Sequence, residues 1–280
     1  MNIEKAEQLG LCFGVRRAVE LLKESVTRYG EIETLGPLAH NRMLVEGLAE
    51  LGVRPVHDLS EVRGRVLAVT THGISPAGLS EIAALDIAVI DTTCPIVRKA
   101  QKTARELVEA DFDVLIFGEA EHSEVRGLLG YAAGRGVAAL DTGQVEDWTA
   151  SSSRLGVISQ TTQTQSAFAD FAGRLVTKVG HRVKEIRIVN TLCQVTRRQQ
   201  EAAVRLARRS ELMLVIGGSS SANARHLVEI CAPLVETHLV ETVEDVDTSW
   251  FQGKQNVGVT AGASTPDEAV EALIARLMSL

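Results

Sequence analysis

Short runs of Val, Ile and Leu alternate along the chain with longer stretches whose apolar positions recur at helical spacing. RVLAVT (65–70) precedes PAGLSEIAAL (76–85), DIAVID (86–91) precedes PIVRKAQKTARELVEA (95–110), and DVLIFG (113–118) precedes SEVRGLLGYA (123–132). RLGVIS (154–159) leads into QSAFADFAGRLVTKV (165–179), and KEIRIVN (184–190) into QVTRRQQEAAVRLARR (194–209). LMLVIG (212–217) with ARHLVEICAPL (224–234), then NVGVTA (256–261) with PDEAVEALIARLM (266–278), complete the series. Strands that alternate with helices predict parallel βαβ units and an α/β fold. Sheets of this kind bind ligands beyond the carboxyl ends of their strands.

Composition narrows the classes of function. A chain of 280 residues with 45% hydrophobic and 23% charged residues buries a real core and is not disordered. The net charge of −7 and the absence of any Lys/Arg run longer than two argue against nucleic acid as a partner. No apolar run approaches the roughly 18 residues that cross a membrane. MNIEKAEQLG lacks the basic-then-apolar order of a signal peptide, so a cytoplasmic location is expected. In a reducing compartment, sparse cysteines serve metal binding, catalysis or packing rather than disulfides.

Three of the 4 cysteines open nearly the same phrase: CFGVRRA at Cys12, CPIVRKA at Cys94 and CQVTRRQ at Cys193. Each stands where a strand or loop gives way to a helix, and Pro95 suits a first helical position. An N-terminal helix position favours a negative sulfur, so lowered thiol pKa values and metal ligation are expected. The three phrases suggest three α/β units: 12–94, 95–190, and 191–280 together with 1–11. Structural zinc sites pair cysteines as Cys-x₂₋₄-Cys, a pattern missing here. Iron–sulfur clusters are held by thiolates, and three thiolates on four irons leave one iron open to chemistry. Cys231, inside HLVEICAPL, reads as core.

Polar residues gather at the predicted strand ends: His40 in LGPLAHN, His72 in VTTHGIS, His122 and Glu124 in FGEAEHSEV, and Thr161 in VISQTTQ. Ser221 and Asn223 follow in VIGGSSSAN, and Ser264 in VTAGAST. Ser75 and Thr265, each before a proline, read as helix caps; His57, His181, His226 and His238 read as surface or supporting residues. Imidazoles, hydroxyls and an amide backed by helix N-termini suit a phosphate or diphosphate without a lysine cluster. Glu124, the carboxylate of the group, is expected to have a pKa raised by the like charge of a bound anion, which suits a proton donor; the competing reading is a solvated first-turn glutamate. No P-loop or G-x-G-x-x-G occurs, so nucleotide binding has no support.

Carried by GLCFGVRRAVE, GPLAHN, THGISP, DTTCP, EHSEVRG, SQTTQ, NTLCQVTRRQQEA, GGSSSANARHL and VGVTAGAS, the chain resembles the 4-hydroxy-3-methylbut-2-enyl diphosphate reductase (LytB) family over nearly its whole length. The resemblance implies a trefoil of three pseudo-repeated α/β units, with mostly parallel sheets, around a central [4Fe–4S] cluster ligated by Cys12, Cys94 and Cys193. It implies that His40, His72, His122, Ser221, Asn223 and Ser264 hold a diphosphate. Glu124 would relay protons, with Thr161 beside it near the substrate hydroxyl and His122 also among the catalytic residues. The implied reaction is a reductive dehydroxylation giving isopentenyl and dimethylallyl diphosphate, with ferredoxin or flavodoxin as electron donor. Ser123, Ser219, Ser220 and Ala222 depart from the family's commoner residues, Pro, Lys, Asn and Ser or Gly. A quinolinate-synthase-like enzyme, a redox sensor and a structural zinc protein are the alternatives; the first would call for more Arg or Lys at the strand ends.

Overall fold

The computed structural model describes residues 1–145 and 151–279. In chain order it begins β1 (Asn2–Lys5), α1 (Phe13–Tyr29), β2 (Ile32–Leu35), α2 (Arg42–Glu50), β3 (Val53–Val56), β4 (Val66–Val69), α3 (Pro76–Ala83) and β5 (Ala88–Asp91). The middle of the chain forms α4 (Pro95–Glu109), β6 (Asp113–Phe117), α5 (Ser123–Tyr131), β7 (Gly136–Ala139), β8 (Arg154–Ser159), α6 (Gln165–Val179) and β9 (Glu185–Ile188). The last part comprises α7 (Gln194–Ala207), β10 (Leu212–Ile216), α8 (Ala222–Cys231), β11 (Thr237–Val240), β12 (Asn256–Ala261) and α9 (Asp267–Met278).

The strands form three four-stranded sheets, ordered β3-β2-β4-β5, β7-β6-β8-β9 and β11-β10-β12-β1. Every pairing is parallel. The three orders are one order: the second strand of each set lies at one edge, then the first, third and fourth. In the last sheet the fourth place is taken by β1, from the opposite end of the chain. β1, β2, β3, β7 and β11 lie outside the sequence-predicted runs because NIEK, IETL, VRPV, GVAA and THLV are four-residue strands, too short to stand out as apolar runs.

Central strands are buried on both faces, as parallel sheets require. Along β6, Val114 and Ile116 face α4 and α5, while Leu115 and Phe117 face Phe168, Phe171 and Leu175 of α6. Each cysteine-led helix packs on a sheet other than the one it leaves. After β1, α1 places Val15, Ala18 and Leu22 against Ile32 and Val66 of the β2–β5 sheet. After β5, α4 places Ala100, Ala104 and Leu107 against Val114 and Ile116 of the β6–β9 sheet. After β9, α7 places Ala202, Ala203 and Leu206 against Met213 and Val215 of the β10–β12 sheet. The crossovers therefore close a ring, with a cysteine at each junction.

Helix caps follow local chemistry. Asn41, Ser75, Thr164 and Ser221 accept backbone N–H groups at the starts of α2, α3, α6 and α8. Thr265 is not a cap, contrary to the sequence expectation: its buried hydroxyl donates to the Ile216 carbonyl at 3.0 Å, tying the loop after β12 to the end of β10. Cys231 is fully buried against Met213 and Leu227, in the core as expected. Among the described residues no helix is long and apolar enough to cross a membrane.

Candidate active site

The loops after the strands converge on a cavity of about 100 Å³ at the centre of the ring. Cys12, Cys94 and Cys193 line it, as do His40, His72, His122, Glu124, Thr161, Ser221, Asn223 and Ser264. Every site residue expected from the sequence is thus brought to one place.

Each cysteine reaches the cavity by the same local device. The N–H groups of Cys12, Cys94 and Cys193 donate to the carbonyls of Ala263, Thr71 and Thr161 at 2.9, 3.0 and 2.8 Å. In each case the acceptor is the second residue beyond the third strand of that sheet. All three cysteines are N-caps, yet none uses its sulfur to cap. Gly14 explains how two of them approach: a Cβ there would lie 2.6 Å from Cys94 Sγ and 3.9 Å from Cys12 Sγ. Gly14→Ala is therefore expected to weaken metal retention about 10–100-fold, read as iron bound after anaerobic reconstitution, with the far-UV CD spectrum unchanged.

The thiol pKa values run against the sequence expectation. Burial pushes Cys12 and Cys94 upward, the neighbouring sulfurs add to this, and backbone N–H groups at the helix starts only partly offset it. Desolvation here outweighs the helix terminus. Thiolates in such a place need a positive partner, and metal binding would expel their protons.

Glu124, in the first turn of α5, is 2% exposed, which removes the reading of it as a solvated glutamate. Thr161 holds both carboxylate oxygens: its N–H donates to Oε1 at 2.6 Å and its hydroxyl to Oε2 at 2.9 Å. Burial pushes the Glu124 pKa up to about 7 against these two hydrogen bonds. The direction was expected, but the cause is desolvation by the fold itself. Behind this pair, His226 Nδ1 lies 2.9 Å from the Thr162 carbonyl and braces the loop.

The rings of His40, His72 and His122 stand 4.8–5.4 Å apart, centroid to centroid. Burial, then His40 and His122, hold His72 well below the usual imidazole pKa. Burial lowers His40, and lowers His122 to about 4, so the three are neutral near pH 7. Their ligand nitrogens lie within 4.8 Å of one another, a spacing that admits a metal ion. His122 argues for an anion instead: its Nδ1 accepts the Glu124 N–H at 3.2 Å, so the neutral ring carries its proton on Nε2, a donor. Around them, the buried side-chain nitrogen and oxygen of Asn223 and the Nε2 of His40 have no protein partner. Ser221 accepts the Ala224 N–H at 3.4 Å, leaving its hydroxyl proton free to donate.

A wider vestibule of about 890 Å³ opens outward from the three imidazoles. Across its mouth Arg225 Nη2 pairs with Glu119 Oε1 at 2.7 Å, and Arg225 Nη1 donates to the Ser219 carbonyl at 3.2 Å. Sequence reasoning missed this pair, and Gly14 as well. Arg225 and Glu119 lie 106 residues apart, with no local signal linking them. Gly14 carried a signal, a glycine two positions after a cysteine.

The family model described as LytB protein matches residues 3–278. A 4-hydroxy-3-methylbut-2-enyl diphosphate reductase of Dehalococcoides mccartyi (strain CBDB1) is 41% identical over 270 residues, covering 96% of this chain and 95% of that protein. The enzyme of the same name from Geobacter metallireducens is 37% identical over 281 residues, covering 100% and 98%. The solved (E)-4-hydroxy-3-methyl-but-2-enyl diphosphate reductase, described as the terminal enzyme of the non-mevalonate pathway, superposes with a TM-score of 0.72 at 34% identity, covering all of both chains. The Plasmodium falciparum E-1-hydroxy-2-methyl-but-2-enyl-4-diphosphate reductase superposes with a TM-score of 0.91 at 26% identity, over 99% of this chain and 88% of that one. A match that runs almost from end to end makes this chain a member of the LytB family.

Proposed function

We propose that this chain catalyses the reductive dehydroxylation of (E)-4-hydroxy-3-methylbut-2-enyl diphosphate to isopentenyl and dimethylallyl diphosphate. It does so in the cytoplasm, with a [4Fe–4S] cluster held by Cys12, Cys94 and Cys193 and with ferredoxin or flavodoxin as electron donor. The observation that carries the reading is one cavity lined by three sulfurs, a protonatable Glu124–Thr161 pair and three neutral imidazoles. The donor set suits the cluster. Among the described residues the imidazoles are the group whose ligand atoms all fall within 4.8 Å of one another. Three cysteines lining one cavity match the thiolate ligation of iron–sulfur clusters.

When bound, the cluster supplies electrons and an iron without a protein ligand that acts as a Lewis acid. The residues supply the rest. His40, His72, His122, Ser221, Asn223 and Ser264 take the diphosphate, and their unpartnered donors gain acceptors on its oxygens. Binding energy from that non-reacting group positions the allylic carbon. Glu124, half-protonated near pH 7, holds the proton that the departing hydroxyl needs. Thr161 can accept from a protonated Glu124 while donating onward, so a proton passes through its hydroxyl. The net change is consumption of two electrons and two protons with release of water.

The test is anaerobic incubation of the reconstituted protein with the allylic diphosphate and reduced methyl viologen, followed by NMR. Both five-carbon products are expected. Unchanged substrate in the presence of protein with full iron and sulfide content overturns the assignment and favours a redox sensor.

A further inference from the structure

The repeated phrase after each cysteine contains two bases, and the cavity uses neither of them. They stand four and five residues beyond the sulfur: Arg16 and Arg17, Arg98 and Lys99, Arg197 and Arg198. The structure treats the two positions differently, and does so three times. Each fourth-position base pairs with a carboxylate: Arg16 with Asp267 at 3.3 Å, Arg98 with Asp91 at 2.7 Å, and Arg197 with Glu201 at 3.6 Å. Among the described residues, no carboxylate pairs with Arg17, Lys99 or Arg198. One cation without a carboxylate partner thus stands five residues beyond each cysteine.

Two of the three cations share one groove, and the third reaches toward the start of α4. Arg17 Nη1 reaches the carbonyl of Thr93, next to Cys94, at 3.5 Å. Lys99 and Arg198 line one groove of about 510 Å³ between α4 and α7. Phe13, directly after Cys12, is 62% exposed on the same turn, and Pro95 and Gln194, directly after the other two cysteines, are exposed too. This face is separate from the vestibule. The central cavity meets the vestibule through His40, His72 and His122, and meets the groove through Ile96. Substrate and a second partner can therefore approach from different sides.

We infer that the face formed by Arg17, Lys99, Arg198 and Phe13 docks an acidic one-electron carrier protein beside the three cysteines. The inference rests on the reductase reading, which demands electrons from outside. A chain of net charge −7 repels an acidic partner over most of its surface, so a local basic face both attracts the partner and orients it. An exposed aromatic among unpaired cations fits a small, short-lived encounter, as electron-transfer contacts are. Each encounter passes one electron from the reduced carrier to the protein and releases the carrier oxidised; two encounters serve one turnover.

The experiment uses the reconstituted holoenzyme, with flavodoxin as the acidic probe and cytochrome c as its basic counterpart. Lys99→Glu combined with Arg198→Glu is expected to weaken flavodoxin binding at least about tenfold at low salt. The dependence of binding on ionic strength should flatten at the same time. Turnover driven by reduced methyl viologen, which needs no docking, should stay within about twofold of the parent, because neither residue lines the central cavity. Phe13→Ser, which leaves all the charges in place, should weaken flavodoxin binding without changing its salt dependence. Cytochrome c, drawn to the acidic remainder of the surface, should bind the Lys99/Arg198 variant no more weakly than the parent. Unchanged flavodoxin affinity in the Lys99/Arg198 variant overturns the inference, as does viologen-driven turnover that falls in step with binding. Failure of the parent to reduce the allylic diphosphate with viologen instead overturns the reductase reading, and the flavodoxin affinities still judge this face independently.

Discussion

Glu124→Gln is expected to lower kcat about 10²–10⁴-fold, the range for loss of a positioned proton donor, while iron and sulfide content stay at the parent level. The substitution keeps the shape of the side chain. A glutamine Oε1 still accepts the Thr161 N–H, and its Nε2 donates to the Thr161 hydroxyl where Oε2 had accepted. What disappears is the transferable proton. KM should change little, because the diphosphate-binding donors are untouched. The pH profile is the sharper readout. With its pKa raised to about 7, Glu124 is the protonated donor below that value and loses its proton above it. The parent's kcat should therefore fall about tenfold per pH unit on the alkaline side, and the variant should lack that limb. A carboxyl whose folded pKa is raised contributes full stability below the usual 4.5, and that stability is lost as pH rises through about 7. The glutamine variant should then be at least as stable as the parent at alkaline pH. Normal turnover with an intact cluster would remove Glu124 from the proton path.

Cys94→Ser is expected to abolish turnover, because the cavity has three sulfurs and no fourth to take over. A serine oxygen is a harder and poorer ligand for iron–sulfur chemistry. After anaerobic reconstitution, iron and sulfide should fall and the brown colour with them. Cys231→Ala is the matched control. Its sulfur is buried against Leu227 and Met213, away from the cavity, and burial pushes its pKa to about 11. That variant should lose some stability through a small core void and keep its iron. Equal iron in Cys94→Ser and the parent, or equal loss in both variants, would remove the special role of the three cysteine sulfurs.

Much of the fold was legible because its signals are local. A run such as DVLIFG or LMLVIG declares a buried strand, and the stretch after it declares a helix by periodicity. The strands β1, β2, β3, β7 and β11 escaped notice because four residues are too few to carry a pattern. Thr265 shows the limit of local reading. Its neighbourhood spells a cap, but 49 residues away the end of β10 presents a carbonyl that takes the hydroxyl instead. The Arg225–Glu119 pair across the vestibule is beyond local reading for the same reason.

The candidate site divides along the same line. Cys12, Cys94, Cys193 and the polar strand-end residues could be named from the sequence, since each stands at a recognisable strand-to-helix junction. The sequence by itself determined the alternation of elements, the three cysteine-led helices and the identity of the donors, because propensity, periodicity and capping act over a few neighbouring residues. Only the tertiary structure decided that α1, α4 and α7 each pack on the next sheet and so bring their sulfurs to one cavity. It also decided that burial raises Glu124, Cys12 and Cys94 while lowering the three imidazoles. Desolvation depends on what surrounds a group from every side, and here those surroundings come from segments far apart in the chain.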